Sequence, residues 1–118
     1  MKKILFVIYQ APGGTIWPNE GFRTAFGMYA EEDLEPEVLL IDQAAITVAQ
    51  GTEPKDLGLL SIKMVQRYIQ KYDTKVYVEK ESLEKFQVPD MDEGYVAEVI
   101  DRASIQAKLA EYDNVIFM

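Results

Sequence analysis

The segment ILFVIYQAPGGTIWPNEG, residues 4–21, predicts the start of an α/β fold. Its first six residues, Ile4–Tyr9, form a continuous apolar run, which is typical of a strand buried on both faces of a parallel sheet. A glycine-rich turn follows, and after it come apolar residues at helical spacing. We therefore expect a strand, a loop and a helix in this order. Asn19 is the expected N-cap of that helix, and the helix is expected to end near Leu34.

The rest of the chain repeats this alternation of strand and helix. A second helix is expected to begin at Pro54 and to continue as an apolar stripe to Tyr72. A short helix capped by Ser82 and a last helix capped by Asp101 follow. Four further strands are predicted at Val38–Ile41, Lys75–Glu79, Tyr95–Ile100 and Val115–Met118. The pattern predicts one α/β domain over residues 1–118, with a five-stranded, mainly parallel sheet flanked by helices in flavodoxin-like layering.

Two residue types are absent from the chain, which contains no Cys and no His. Without Cys the protein has no thiolate nucleophile, no disulfide and no site for a persulfide. Without His, the catalytic triads of the Ser-His-Asp type and imidazole-bound zinc are also excluded. Any chemistry of its own would depend on carboxylates, Lys, Arg, Tyr, Ser or Thr, or on a bound cofactor, and the sequence predicts no specific cofactor.

The charge of the chain argues against two classes of partner. The formal net charge is −8 and the sequence pI is about 4.5. Such a charge repels nucleic-acid phosphates and anionic membranes, so we expect no direct DNA partner and no membrane partner. No apolar run approaches the roughly 20 residues that span a bilayer, and the apolar run near the N-terminus is too short for a signal peptide. These features predict a cytoplasmic protein.

The glycine-rich turn at Pro12, Gly13 and Gly14 has three possible roles. It could bind phosphate at the start of a helix, but it lacks the Lys of a Walker A motif, and Glu20 places a negative charge on that helix end. It could be a plain turn, as its composition allows. It could also be an interface loop, because the apolar side chains of Ile16 and Trp17 follow directly.

Several short motifs, in collinear order over nearly the whole chain, resemble the DsrE/DsrF-like proteins, and within them the DsrF/TusC branch. The first strand is followed by A-P-x-G and then by E-G at the start of a helix. Further matches are the strand VLLID, the stretch Q-G-x-x-P, and the ending YDNVIFM. The residues that carry the likeness are Ala11, Pro12, Gly14, Glu20, Gly21, Asp42, Gln50, Gly51, Pro54, Tyr72, Asp73, Ser82 and Leu83.

The resemblance implies a five-stranded α/β fold and an oligomeric assembly. Complexes of the DsrE/DsrF/DsrH and TusB/TusC/TusD types are hetero-hexamers that pass sulfur as a protein persulfide, towards sulfur oxidation or towards 2-thiouridine in tRNA. The carrier cysteine lies just after the third strand of the DsrE/TusD-type subunit, and here that position is Glu79. The resemblance therefore implies a non-catalytic subunit with partners of the DsrE/TusD and DsrH/TusB types, or self-association, and at most indirect contact with tRNA.

Carboxylates stand at three predicted strand ends, and they leave other functions open. Asp42, Glu79 and Asp101 could bind a divalent cation, but capping and turn formation explain them as well, so no metal site is predicted. A second hypothesis is a homo-oligomeric module that binds a small ligand or nucleotide at Gly13, Gly14 and the ends of the second and third strands. A third is a carboxylate-dependent enzyme, for which the spacing selects no substrate.

Overall fold

The computed structural model describes residues 1–12, 15–52 and 62–118. Its strands are Lys2–Ile8 (β1), Leu34–Leu40 (β2), Val76–Glu79 (β3), Glu98–Ile100 (β4) and Asn114–Phe117 (β5). Its α-helices are Trp17–Gly27 (α1), Ile62–Tyr72 (α2), Lys80–Lys85 (α3) and Arg102–Leu109 (α4). Short 3-10 helices lie at Met28–Ala30, Asp42–Val48 and Glu93–Tyr95. None of the helices in these ranges is long and apolar enough to cross a bilayer.

The five strands form one parallel sheet in the order β4-β3-β2-β1-β5. The two central strands, β1 and β2, pair along their whole length, from Lys2 opposite Leu34 to Ile8 opposite Leu40. β5 pairs with the other side of β1. The prediction of a five-stranded parallel sheet flanked by helices is therefore confirmed.

Helices cover both faces of the sheet. Because successive side chains of a strand point to opposite faces, Phe6 packs in the cluster that includes α1 and α2, whereas Leu5 and Val7 pack in the cluster that includes α4. The predicted apolar stripe of the first helix contributes Phe22 and Ala25 to the first cluster. The larger core lies on the α1 and α2 face.

Three predicted boundaries near the first helix are wrong. The helix begins at Trp17, with Ile16 in the N-cap position, because Pro18 fits the first turn of a helix. Asn19 therefore lies inside the helix. The helix ends at Gly27, and Leu34 starts β2 instead of ending the helix. Glu35 and Glu37 interrupt the apolar pattern in the first half of this strand, so the sequence does not predict it.

Other boundaries in the second half also differ from the prediction. Tyr95 does not start the fourth strand; it lies buried in a 3-10 helix, with its ring centroid 6.0 Å from that of Phe22. The 3-10 helix Asp42–Val48 follows the second strand. The predicted cap at Asp101 is confirmed, because its carboxylate accepts a hydrogen bond from the Ser104 backbone N–H at 3.0 Å. The expected helix start at Pro54 lies outside the described residues.

A buried carboxylate interrupts the apolar face beneath α4. Glu37 of β2 is buried, and its Oε1 accepts a hydrogen bond from the Tyr112 hydroxyl at 2.6 Å. The Lys3 Nζ lies 3.6 Å from Glu37 Oε2. Burial, together with the hydrogen bond to Glu37, raises the pKa of Tyr112, and burial likewise raises the pKa of Tyr77 to about 12. Glu37 thus lies in a cluster with two neutral phenols, Tyr112 and Tyr77, and with Lys3.

Candidate functional site

The third strand ends at Glu79, a buried carboxylate at the C-terminal edge of the sheet. Glu79 also occupies the N-cap position of α3, so the predicted cap at Ser82 is wrong. Ser82 instead lies buried within the helix, one turn on, and its hydroxyl donates a hydrogen bond of 2.5 Å to Glu79 Oε1. The turn from β3 into α3 therefore fixes one oxygen of this carboxylate from its own helix.

Arg102 holds the Glu79 carboxylate from the neighbouring connection. Its Nη2 lies 3.1 Å from Glu79 Oε1 and its Nε lies 3.3 Å from Oε2, so the pair is bidentate. The Arg102 backbone N–H also donates to Glu81 Oε1 at 2.8 Å. The two turns that follow β3 and β4 are tied together by these bonds.

The charge state of Glu79 follows from two opposing effects. Burial disfavours its ionised form, but the hydrogen bonds from Arg102 and Ser82 and the positive charge of Arg102 outweigh that effect and lower the pKa of Glu79. The same contacts raise the pKa of Arg102. Glu79 is therefore a fixed, ionised and fully partnered carboxylate at neutral pH.

Asp42 lies at the same edge of the sheet as Glu79, and a hydrogen bond links it to Ser82. The Asp42 backbone N–H donates to Ser82 Oγ at 2.8 Å, and Asp42 has a positive φ of 50°, in the left-handed region that Asp tolerates better than most residues. The structure thus brings together the ends of β2 and β3, whereas Asp101 caps α4. Within the described part of the chain, no group of three or more Asp and Glu side chains could hold a metal ion.

A small cavity lies beside Glu79, between the sheet and α4. Its volume is about 210 Å³, and the ion pair of Glu79 and Arg102 forms its charged border. The other lining side chains are mainly apolar: Val7, Leu39, Ile41, Ile105, Leu109 and Phe117, with Gln106. A small apolar group could enter it and reach the position of residue 79.

The opening loop lies on the same edge of the sheet. Pro12 is buried, and Thr15 donates a hydrogen bond to the Ala11 carbonyl; Gly13 and Gly14 lie outside the described residues. Tyr9, Gln10 and Thr15 line a second, open cavity of about 370 Å³ together with Asp42, Gln43, Lys85 and Phe86. Ile16 and Trp17 are both exposed.

The start of α1 is a poor site for binding a phosphate. Glu20 lies in its first turn, and Arg23 Nη2 is 2.5 Å from Glu20 Oε2. Arg23, the cation that could have balanced the charge of a phosphate, is therefore paired with the Glu20 carboxylate. This ion pair argues against phosphate binding at the start of α1.

Two residues of the site, Ser82 and Arg102, were not predicted as site residues. From the sequence, Ser82 is expected to cap a helix, and no role is expected for Arg102. The position of Arg102 near Glu79 could have been predicted. Arg102 follows β4, and neighbouring parallel strands end at the same edge of a sheet. For Ser82, the only sequence feature that indicates a contact with Glu79 is the spacing of three residues between them.

Comparison with known proteins supports the fold and gives the family. The crystal structure of the ychN protein from E. coli superposes with a TM-score of 0.83 over 100% of both chains, at 18% sequence identity, which shows a shared fold. No curated protein sequence matches the chain. A sequence model of the DsrE/DsrF-like family matches residues 2–118. The chain therefore belongs to the DsrE/DsrF-like family.

Proposed function

We propose that this protein is the DsrF/TusC-like, non-carrier subunit of a cytoplasmic sulfur-relay complex, and that it acts by assembly with a cysteine-bearing partner of the DsrE/TusD type. One observation carries the proposal. The buried Glu79 carboxylate is held by Ser82 and Arg102, and the family resemblance aligns Glu79 with the position of the carrier cysteine. The complex would serve sulfur oxidation or the formation of 2-thiouridine in tRNA.

The chemistry of sulfur transfer supports this assignment. A carrier takes up sulfur when its thiolate attacks the outer sulfur of a donor persulfide, which forms a new S–S bond and releases the donor as a thiolate. The chain has no Cys anywhere in its sequence. The Glu79 carboxylate cannot replace the thiolate, and both of its oxygens already accept hydrogen bonds.

The same contacts support a structural role for this edge of the sheet. The bonds among Glu79, Ser82, Arg102 and the Asp42 backbone join the turns after β2, β3 and β4. Rigid turns of this kind present a fixed surface, and the exposed Ile16 lies at the adjoining start of α1. Apolar side chains at such positions often anchor protein interfaces. We assign the partner surface to this edge.

A second candidate function is a homo-oligomeric module that binds a small ligand. The open cavity between the opening loop and Asp42 favours it, because ligands of open parallel sheets bind beyond the carboxyl ends of the strands. The pair of Glu20 and Arg23 makes a phosphate-bearing ligand the less suitable choice.

Co-expression with a cysteine-bearing DsrE/TusD-like chain from the same source tests the assembly. We expect the two chains to co-purify, and we expect Ile16→Glu to weaken their association about tenfold or more, because it buries a charge in an apolar contact. Met64→Glu is the matched control, since Met64 on α2 is exposed to 48% and Ile16 to 51%. Mass in solution and affinity are measured; a wild-type chain that does not bind the partner contradicts the proposal.

A further inference from the structure

A cavity of about 460 Å³ lies at the edge of the sheet where the strands begin. It is lined by the last turn of α2, by residues 73–77 at the start of β3, and by Val96 and Glu98 at the start of β4. Because the strands are parallel, this edge is opposite to the edge that holds Glu79. Ligand pockets commonly have volumes of roughly 300 to 1,000 Å³, so the cavity has the size of a small-molecule site.

The end of α2 gives this cavity a negative potential. Asp73 follows the last helical residue with a positive φ of 52°, and the Thr74 backbone N–H donates to the Ile69 carbonyl at 3.0 Å. This pattern ends the helix in a Schellman motif. The C-terminal end of a helix carries a partial negative charge, which attracts cations within about one turn of it. The cavity therefore favours a positively charged group.

Two carboxylates add to this potential. Asp73 and Glu98 line the cavity, and both residues are exposed. Lys75 also lines it, and its Nζ lies 3.8 Å from Asp73 Oδ2, with exposed side-chain fractions of 60% for Lys75 and 91% for Asp73. An ion pair as exposed as this one is weak. Glu98 forms no ion pair with any residue that the structure describes. Both carboxylates are therefore accessible to a cationic ligand.

Val96 offers an apolar contact and carries backbone strain. It lines the cavity and is exposed to 69%. Its φ of 49° and ψ of 39° lie in the left-handed region, where a β-branched residue is a rare outlier. Strain of this kind costs stability and is concentrated at functional sites. Val96 belongs to neither hydrophobic cluster of the described residues, so core packing does not explain it. A contact with the apolar part of a ligand would explain it.

We propose that this cavity binds a small aliphatic amine, with its ammonium groups beside the carboxylates of Asp73 and Glu98 and its methylene chain against Val96. The carboxylates and the end of α2 repel an anion. A bare metal ion is also a poor fit, because within the described ranges no group of three or more Asp and Glu side chains could hold one. The inference goes beyond the sulfur-relay role and does not depend on it.

Titration of the full-length protein with 1,4-diaminobutane tests the site, with backbone amide shifts measured by NMR at low and constant ionic strength. We expect saturable shifts at residues 69–77 and 96–98. Ammonium chloride has the charge without the methylene chain, and we expect it to bind about tenfold more weakly; 1-butanol has no charge and should not bind. The absence of a saturable shift at these residues, or equal binding of ammonium, overturns the proposal.

Nα-Acetyl-lysinamide distinguishes a free amine from a lysine side chain of a partner protein. It presents one ammonium group on a butyl chain attached to a peptide backbone. We expect it to bind more weakly than 1,4-diaminobutane, because it brings one ammonium group to a cavity with two accessible carboxylates. Tighter binding of the lysine derivative would assign the cavity to a partner's side chain and would overturn the proposal of a free amine.

Charge variants show whether the two carboxylates hold the ligand. We expect Asp73→Asn and Glu98→Gln each to weaken binding of 1,4-diaminobutane about threefold. Asn tolerates the left-handed backbone at position 73. Lys75→Gln should tighten binding, because it removes the cation that faces Asp73. Glu32→Gln is the control for net charge, since Glu32 is exposed and lies outside the cavity. Equal weakening by all three carboxylate variants, or none by Asp73→Asn and Glu98→Gln, overturns the proposal.

Val96→Gly separates the cost of the strain from its use. Glycine adopts a positive φ without strain, so we expect the urea midpoint to rise. We expect the affinity for 1,4-diaminobutane to fall about threefold, because the apolar contact is lost. An unchanged affinity would contradict the contact on which the site depends. None of these experiments requires a sulfur-carrier partner, so their failure is distinct from failure of the relay role.

Discussion

Glu79→Cys is expected to turn this chain from one that takes up no sulfur into one that carries a single persulfide. The new thiol would lie beside Arg102, whose guanidinium lies 3.1 to 3.3 Å from the present carboxylate oxygens. A nearby Arg lowers the pKa of a thiol, and burial raises it; at Glu79 the contacts with Arg102 and Ser82 already outweigh burial. The adjoining cavity of about 210 Å³ gives a small reagent a path to the sulfur.

The measurements for this variant are the pH dependence of alkylation and the intact mass after treatment with a low-molecular-weight persulfide. We expect half-maximal alkylation at about pH 7.5 or below, against about 8.5 for an ordinary cysteine, and a gain of one sulfur atom. Glu84→Cys, on the exposed side of the same helix, is the control for an unperturbed thiol. If half-maximal alkylation of the thiol at position 79 occurs at the same pH as for the control thiol, or at a higher pH, Arg102 does not activate it.

Glu37→Ala is expected to lower the free energy of unfolding by about 2–4 kcal/mol. The substitution removes the acceptor of the buried Tyr112 hydroxyl and the charge that faces Lys3, and it leaves a cavity under α4. Leaving a buried donor without a partner costs more than removing both members of a hydrogen bond. Urea denaturation at neutral pH measures the change.

The control for this prediction is Glu35→Ala, two residues earlier on the same strand and face. Glu35 is exposed, so we expect a change within about 0.5 kcal/mol. In the Glu37→Ala background, Tyr112→Phe should then cost clearly less than it does in the wild type, because its hydroxyl has already lost its acceptor. Equal costs of Tyr112→Phe in both backgrounds would show that the two side chains are not coupled.

The alternation of strands and helices was predictable because it depends on local patterns. The run at Ile4–Tyr9 and the stripe of Phe22 and Ala25 follow directly from period and composition. The early start of β2 was missed because Glu35 and Glu37 interrupt the apolar pattern, and the pairing of Leu34 and Glu35 with Lys2 and Lys3 of β1 makes this stretch a strand. The helix start at Trp17 was missed because Asn19 is a good cap in isolation, whereas Pro18 fits best inside the first turn.

The candidate site was predictable only in part. Topology placed Asp42 and Glu79 at one edge, since parallel strands all end there. The partners of Glu79 could not be predicted, because Arg102 is 23 residues away in the chain and reaches Glu79 only through the pairing of β3 with β4. The same limit applies to Glu37 and Tyr112, which are 75 residues apart and meet only in the folded sheet.

The location of sulfur within the co-purified complex shows whether this chain is a non-carrier subunit. The complex of this chain with its cysteine-bearing partner is loaded from a persulfide donor, and the intact mass of each subunit is measured without reductant. We expect one added sulfur on the partner, none on this chain, and faster loading of the partner within the complex than alone. Sulfur on this chain, or a partner that loads equally well without it, would rule out the proposed role of a non-carrier subunit.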